Sequence, residues 1–231
     1  MSLVDRVVNE IRTGLVESGN PARAIQQQAY LKSTMPCHGV PNPTVRLIVR
    51  SVLRATPELT RQEWRTAFNR LWDEAGHREE CLAAIEVADA KRAWSGPDLM
   101  DDYQKMATTG AWWDLVDPLA THLVGDVLRR EPGQADRIRQ WALADDPWLR
   151  RVAILCQLKF GADLDTGLLS GVIEANLFDS RFGTSFFIRK AIGWALREHA
   201  KSDPDWVRAF VAKHGDRLST LSRREALRNL G

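Results

Sequence analysis

Cysteine is scarce in this chain of 231 residues: Cys37, Cys81 and Cys156 are widely spaced and form no CxxC pair. An odd number of scattered cysteines argues against a disulfide framework or a cysteine zinc site, and favours a reducing compartment. The sequence also lacks an apolar run of about 18 residues, and no apolar leader region follows Met1. We therefore expect no membrane span and a cytoplasmic location.

Motifs for phosphate binding and for nucleophilic catalysis are missing as well. The chain contains no GxxxxGK[ST], no GxGxxG after a strand and no GxSxG. The histidines are scattered along the sequence, and none lies at metal-ligand spacing from a cysteine or a carboxylate. The sequence therefore predicts no nucleotide, flavin or nicotinamide cofactor and no metal.

The sequence is rich in tryptophan, and its positive charge is concentrated in one region. There are 9 Trp against 2 Tyr and 7 Phe, an inversion of the usual aromatic usage. The formal net charge is only +2, yet residues 181–231 carry 11 Lys and Arg against 5 Asp and Glu. Such asymmetry within one chain is typical of proteins that bind nucleic acids or anionic surfaces.

Apolar residues recur at helical spacing through nearly the whole chain, and strand alternation never persists. Helices are predicted at Asn42-Pro43, at the capping box that begins at Thr60, and over roughly 2–17, 21–33, 77–93, 97–108, 112–129, 133–143, 147–160, 164–176, 184–201, 204–214 and 221–230. The breaks between them are short, as at Asp146-Pro147. We expect an all-α fold in one domain over residues 1–231, as an irregular bundle or an α-solenoid of helix pairs.

The run Trp112-Trp113-Asp114-Leu115-Val116-Asp117 is the first candidate for chemistry. Trp113 and Asp117 are four residues apart and share a helix face, whereas Trp112 falls in a row that resembles core. Asp117 precedes Pro118, which disfavours the α conformation and predicts a bend there. Either Trp113 projects beside Asp117, or both tryptophans are core and Asp117 is a cap.

Arg151 is the second candidate, because it lies in phase with Ile154, Leu155 and Leu158 on an otherwise apolar flank. A cation in that position requires an anion. A buried carboxylate and a phosphate both satisfy the pattern.

Trp194 is the third candidate, because it lies outside the core row of its helix. It is in phase with Lys190, Arg197 and Lys201, which places an indole within a row of cations. Interleaved aromatic and basic groups suit contact with phosphates and bases. The core row consists of Ile188, Ala191, Ile192, Ala195 and His199.

Four runs together resemble a known family: Trp112-Trp113-Asp114-x-x-Asp117, Trp148-Leu149-x-Arg151-x-Ala153-Ile154-Leu155, Phe186-Phe187-Ile188-x-Lys190-Ala191-Ile192-Gly193-Trp194, and Leu221-Ser222-x-Arg224-Glu225-Ala226. The chain resembles the DNA alkylation repair (AlkD-like) family of HEAT-like-repeat alkylpurine DNA glycosylases, in order from about Tyr30 to the C-terminus. The resemblance implies a right-handed α-solenoid of six HEAT-like repeats with a concave basic groove for duplex DNA.

The resemblance also implies roles for individual residues. Asp117, Trp113 and Trp194 would form the site at the lesion, Arg151 would hold the DNA backbone, and Tyr30 would be a DNA-facing aromatic. Lys190, Arg197 and Lys201 would add cations to the DNA-binding surface. Pro118 departs from the family pattern and would re-aim Asp117.

The implied activity is hydrolysis of the N-glycosidic bond of positively charged N3- or N7-alkylated purines, such as 3-methyladenine and 7-methylguanine, and also of bulky adducts. The enzyme would be monofunctional and monomeric, would need no cofactor, and would leave an abasic site. A non-catalytic HEAT-like module that binds distorted DNA or a protein partner is the alternative, followed by an RNA-binding solenoid. The joint presence of Trp113, Asp117, Arg151 and Trp194 favours the enzyme.

Overall fold

The computed structural model describes residues 1–230, and no strand is found among them. The α-helices are α1 Leu3–Glu17, α2 Pro21–Leu31, α3 Asn42–Ala55, α4 Arg61–Asp73, α5 Arg78–Ala90, α6 Met100–Gly110, α7 Trp113–Pro118, α8 Gly125–Arg130, α9 Ala135–Trp141, α10 Pro147–Leu155, α11 Thr166–Glu174, α12 Phe186–His199, α13 Pro204–Lys213 and α14 Thr220–Ala226. The all-α prediction is confirmed. Over the same residues, no helix is both long and apolar enough to cross a membrane.

Side-chain caps and prolines determine where many of the helices begin. Thr60 forms the expected capping box with Glu63, in which each side chain bonds the backbone N–H of the other residue. Asn20, Asp146 and Asp203 each accept a first-turn N–H, and each is followed by a proline at the position where a missing N–H costs nothing. These local signals explain why most of the predicted helix starts agree with the structure.

Asp117 is helical, although its position before Pro118 disfavours that conformation. Asp117 and Pro118 lie inside α7, and the chain continues as a π-helical segment, Leu119–Val124, into α8. Pro118 has no N–H to bond the preceding turn, and wider π-type bonding accommodates such a defect without ending the helix. The segment is also held by packing, because Leu119, Leu123 and Val124 are fully buried.

The contacts divide the chain into two compact units. The first, Met1–Ser95, contains α1 to α5, with α4 and α3 packed on α5 around the buried side chains of Trp64 and Phe68. The second begins at Gly96 and contains α6 to α14, in which α10 contacts α7 and α12, and α12 packs against α14. The single domain over residues 1–231 stays a prediction.

Candidate functional site

A largely buried ion pair joins Asp117 and Arg151 in the second unit. Arg151 Nε donates to Asp117 Oδ1 at 2.6 Å, and Arg151 Nη2 donates to Oδ2 at 2.8 Å. The third guanidinium nitrogen donates to the carbonyl of Phe187. The pair is therefore bidentate, which is a strong geometry for an arginine and a carboxylate. It joins α7 to α10, and Arg151 also contacts the start of α12.

Burial makes the Asp117 carboxylate a stronger base than an exposed aspartate. Its side chain is 14% exposed, and that of Arg151 is 5% exposed. Desolvation raises the pKa of Asp117; the hydrogen bonds and charge of Arg151 oppose this, and the charge of Asp114 adds to it. The net pKa is raised. A carboxylate with poor solvation and a fixed orientation is suited to stabilise a cation or to accept a proton.

The structure therefore shows which of the two anions considered from the sequence is the partner of Arg151. The partner is a carboxylate, and that carboxylate is Asp117, 34 residues earlier in the chain. The sequence alone predicts separate roles for these two residues. The structure brings them into direct contact, so any role of Arg151 includes holding Asp117.

An aromatic cluster of Trp112, Trp148 and Phe187 lies beside this ion pair. The ring centroids of Trp112 and Trp148 are 5.6 Å apart, and those of Phe187 lie 5.0 Å from Trp112 and 4.9 Å from Trp148. The three side chains come from the first residues of α7, α10 and α12, or from the residue just before. Phe187 supplies both a ring to this cluster and a carbonyl to Arg151.

Trp112, which the sequence placed in a row that resembles core, does pack against other side chains, but it is less buried than the rest of that row. Trp112 is only partly buried, like Trp113, and it packs in the aromatic cluster, whereas Leu115 and Val116 are core as expected. Trp112 precedes the first residue of α7, so helical spacing does not govern its direction. Trp113 lies on the first turn of α7, four residues before Asp117, as the spacing predicted.

The core row predicted for α12 is confirmed, and Trp194 lies outside it. Trp194 is partly exposed, while the five predicted core residues are all buried. Trp194 follows Phe187 by seven residues, so it lies on the same side of α12 and about 10 Å further along the axis. One stripe of α12 therefore runs from the aromatic cluster to Trp194.

The cations of that stripe are all in ion pairs. Lys190 lies 3.2 Å from Glu225 of α14, Arg197 contacts the other oxygen of the same carboxylate, and Lys201 lies 2.7 Å from Glu198. Burial alone would raise the pKa of Glu225, but the hydrogen bond and charge of Lys190 and the charge of Arg197 lower it. Glu225 stood in one of the family-like runs, yet its role in orienting two cations was missed.

Tyr30 belongs to α2 of the first unit. Its side chain is 73% exposed.

The first unit contains a group of potential metal ligands that the sequence did not predict. His38, His77 and Glu80 place one ligand atom each within 4.8 Å of one another. Burial and the charge of His77 lower the pKa of His38 despite the nearby Glu79 and Glu80. The expectation that no histidine lies at ligand spacing from a carboxylate was wrong here, because His77 is three residues from Glu80 and the fold brings His38 against them from 39 residues earlier in the chain.

Replacing Gly193 with Ala is expected to destabilise the second unit, because α12 and α14 touch at this glycine. An added Cβ would lie 2.6 Å from the Glu225 Cβ and 3.1 Å from the Ser222 carbonyl oxygen. Overpacking of about 1–3 kcal/mol outweighs the ~1 kcal/mol gained from removing a helical glycine. Urea denaturation measures the difference. Gly171→Ala in α11, where an added Cβ meets nothing within 4 Å, is the control and should be neutral or stabilising.

Comparison with known proteins identifies relatives of the whole chain. The family model described as DNA alkylation repair enzyme matches residues 11–230. A solved structure described as "Predicted DNA alkylation repair enzyme from Enterococcus faecalis" is similar at a TM-score of 0.82 and 26% identity, over 93% of this chain and 97% of that one. The comparison with curated proteins found no significant match.

Proposed function

This chain belongs to the DNA alkylation repair enzyme family, and on that premise we propose that it is a DNA glycosylase. Its substrates are positively charged N3- or N7-alkylated purines in duplex DNA, and its product is an abasic site. The observation that carries the proposal is the Asp117 carboxylate, which is mostly buried and held by both prongs of Arg151.

The chemistry requires an anion more than an acid. An alkylated purine with a formal positive charge is already a good leaving group, and it departs as a neutral base. What then needs stabilisation is the oxocarbenium-like deoxyribose, and a nearby carboxylate in a partly dehydrated site supplies it by direct electrostatics. Asp117 fits that role and also suits the orientation or deprotonation of the attacking water.

Trp113 and Trp194 complete the proposed site by offering indole faces to the cationic base and sugar. Each such contact contributes ~0.5–2 kcal/mol. The cluster of Trp112, Trp148 and Phe187 supports this proposed site, because it joins the starts of α7, α10 and α12. These three helices carry the side chains of the site and the Arg151 that holds Asp117. No lysine in the family-like runs is placed as a Schiff-base nucleophile, so we propose a monofunctional enzyme.

The architecture we propose is a right-handed solenoid of HEAT-like repeats that acts as a monomer, with duplex DNA in a concave basic groove. Tyr30, Lys190, Arg197 and Lys201 belong to the DNA-binding surface in this proposal. Ion pairing with Glu225 and Glu198 suits such a role, because it holds long cationic side chains in place until phosphates replace the carboxylates. We expect the protein to work in the cytoplasm, bound to the nucleoid when engaged on DNA.

Release of free base from methylated DNA is the direct test. The purified protein is incubated with methylated duplex DNA, and free 3-methyladenine and 7-methylguanine are quantified. We expect base release with intact strands that become sensitive to alkali, as abasic sites are. Tight binding without release would favour a non-catalytic module for distorted DNA. Neither binding nor release would favour a scaffold for a protein partner.

Lys201→Gln is expected to weaken DNA binding similarly on all sequences and to lower the salt dependence of binding. Each phosphate contact contributes a slope of about 0.9 in log affinity against log salt, so one lost contact should reduce the slope by about one. Lys213→Gln is the matched control, since Lys213 also pairs with a glutamate, Glu174, but lies on α13. Equal slopes for the two variants would remove Lys201 from the DNA surface.

A further inference from the structure

The first unit holds two imidazoles and a carboxylate that converge from two parts of the chain. The rings of His38 and His77 are stacked with centroids 3.7 Å apart and an interplanar angle of 17°. Glu80 Oε1 lies 3.6 Å from His77 Nδ1 and 4.0 Å from His38 Nε2. None of these three residues has a part in the proposed glycosylase site, which lies in the second unit.

The segment that carries His38 is fixed firmly against the start of α5. Glu79, a fully buried carboxylate, accepts the backbone N–H groups of His38, Gly39 and Val40 at 2.8, 2.8 and 3.1 Å. Arg78 N–H in turn donates to the Pro36 carbonyl at 2.9 Å. These hydrogen bonds therefore hold the backbone that carries His38 against the first turn of α5, which carries Glu80 and is preceded by His77.

A glycine makes this close approach possible. Gly39 has φ +80°, and a Cβ there would lie 2.2 Å from the Asn20 carbonyl oxygen. The same Asn20 donates its N–H to the His38 carbonyl at 2.9 Å. The backbone around His38 is thus held by hydrogen bonds to the starts of both α2 and α5. A ligand that binds there would therefore have to remove little conformational entropy from the chain.

The two oxygens of the Glu80 carboxylate have different partners. Oε2 accepts from Arg12 Nε at 2.8 Å, whereas Oε1 accepts the backbone N–H groups of His77 and Gly76 at 3.2 and 3.3 Å and faces both imidazoles. The Arg12 contact orients the carboxylate from its far side, as the outer partners of metal ligands do.

We propose that His38, His77 and Glu80 bind one divalent transition-metal ion of the zinc class. Two imidazoles and one carboxylate are a donor set for zinc, whereas magnesium and calcium prefer oxygen ligands alone. Tetrahedral ligands at zinc distances lie roughly 3.3 Å apart, whereas the three ligand atoms here lie within 4.8 Å of one another, so the side chains must rotate to close around the ion. His77, the most exposed of the three, can rotate out of the ring stack, and water completes the coordination.

Binding of this ion would tie the segment between α2 and α3 to the start of α5. Because the ligands come together only in the folded chain, the ion would stabilise the first unit. This inference does not rest on the glycosylase function.

Metal titration of the tag-free full chain tests the site. Zn²⁺ affinity is measured by competition with a chromophoric chelator, and Co²⁺ is added separately to follow its visible absorption bands. We expect one ion per chain, Co²⁺ bands typical of nitrogen and oxygen ligation, and a melting temperature that rises with Zn²⁺ but not with Mg²⁺.

Glu80→Gln and Glu74→Gln form a matched pair, because both glutamates contact Arg12 but only Glu80 faces the histidines. We expect Glu80→Gln to weaken Zn²⁺ binding at least ~10-fold and Glu74→Gln to leave it unchanged. His77→Gln should also weaken binding at least ~10-fold, and its 37% exposed side chain makes it the safer variant for folding, checked by circular dichroism. Binding of no Zn²⁺ by the wild type, or equal affinity in His77→Gln and Glu74→Gln, would overturn the proposal.

Discussion

Asp117→Asn is expected to lower the rate of base excision by at least ~10²-fold and to leave DNA affinity nearly unchanged. The amide keeps the size of the side chain but removes the negative charge that would face the developing deoxyribose cation. Loss of one preorganised electrostatic partner costs roughly 10²–10³ in rate in other enzymes. Single-turnover release of 7-methylguanine measures the rate, and a binding titration with the same duplex measures the affinity.

Asp117→Asn is also expected to lower the stability of the protein, and the controls must distinguish this effect from the loss of catalysis. An Asn at position 117 leaves the Arg151 guanidinium buried beside a neutral amide, so the variant will be less stable as well as less active. Thermal unfolding of each variant therefore accompanies the assay, which is run well below the lower of the two melting temperatures.

Asp114→Asn is the matched control for Asp117→Asn. Asp114 is a second carboxylate of α7, and its charge raises the pKa of Asp117. We expect the Asp114 variant to excise bases within a few-fold of the wild-type rate, because only Asp117 is held by Arg151. Equal excision by Asp117→Asn and the wild type would remove Asp117 from the mechanism.

Local patterns predicted those parts of the fold and site that depend on near neighbours in sequence. The row of Ile188, Ala191 and Ile192 and the separation of Trp194 from it follow from helical periodicity alone. The capping box at Thr60 also depends on a spacing of three residues. Such signals are complete within one or two turns, so one sequence suffices to identify them.

The remaining features depend on contacts between distant residues. The sequence predicted that Arg151 needs an anion, but only the packing of α10 on α7 selects Asp117. The stacking of His38 on His77 likewise depends on a chain reversal between α2 and α3, which spacing cannot reveal. Asp117 is the converse case, because it is helical among buried neighbours although the residue before a proline disfavours the helical conformation.

Arg151→Met is expected to destabilise the protein and to move the acid limb of the excision profile to higher pH. Removal of one partner leaves the buried Asp117 carboxylate uncompensated, which costs ~3–5 kcal/mol of unfolding free energy in comparable pairs. The pKa of Asp117 is already raised by burial, and loss of the opposing Arg151 raises it further. More of the enzyme then carries a protonated, inactive Asp117 at a given pH.

The sign of the stability change with pH follows from the same shift. In the folded state Asp117 retains its proton to a higher pH than in the unfolded chain. The contribution of this group to the free energy of unfolding therefore falls as pH rises from the ordinary aspartate pKa of 3.8 through the raised one. Arg151→Met should extend that fall to higher pH, and Arg151→Lys, which keeps the charge but not the two-pronged geometry, should extend it less.

The same variants distinguish the two roles considered for Arg151. The Arg151 side chain is almost wholly buried, and three of its nitrogens already donate to protein oxygens. We therefore expect Arg151→Met to change the salt slope of DNA binding less than Lys201→Gln does, and to change the pH profile of excision more. A slope reduced by about one would instead indicate a direct contact with the DNA backbone. An unmoved acid limb, with a melting temperature like that of the wild type, would show that Asp117 does not depend on Arg151 at all.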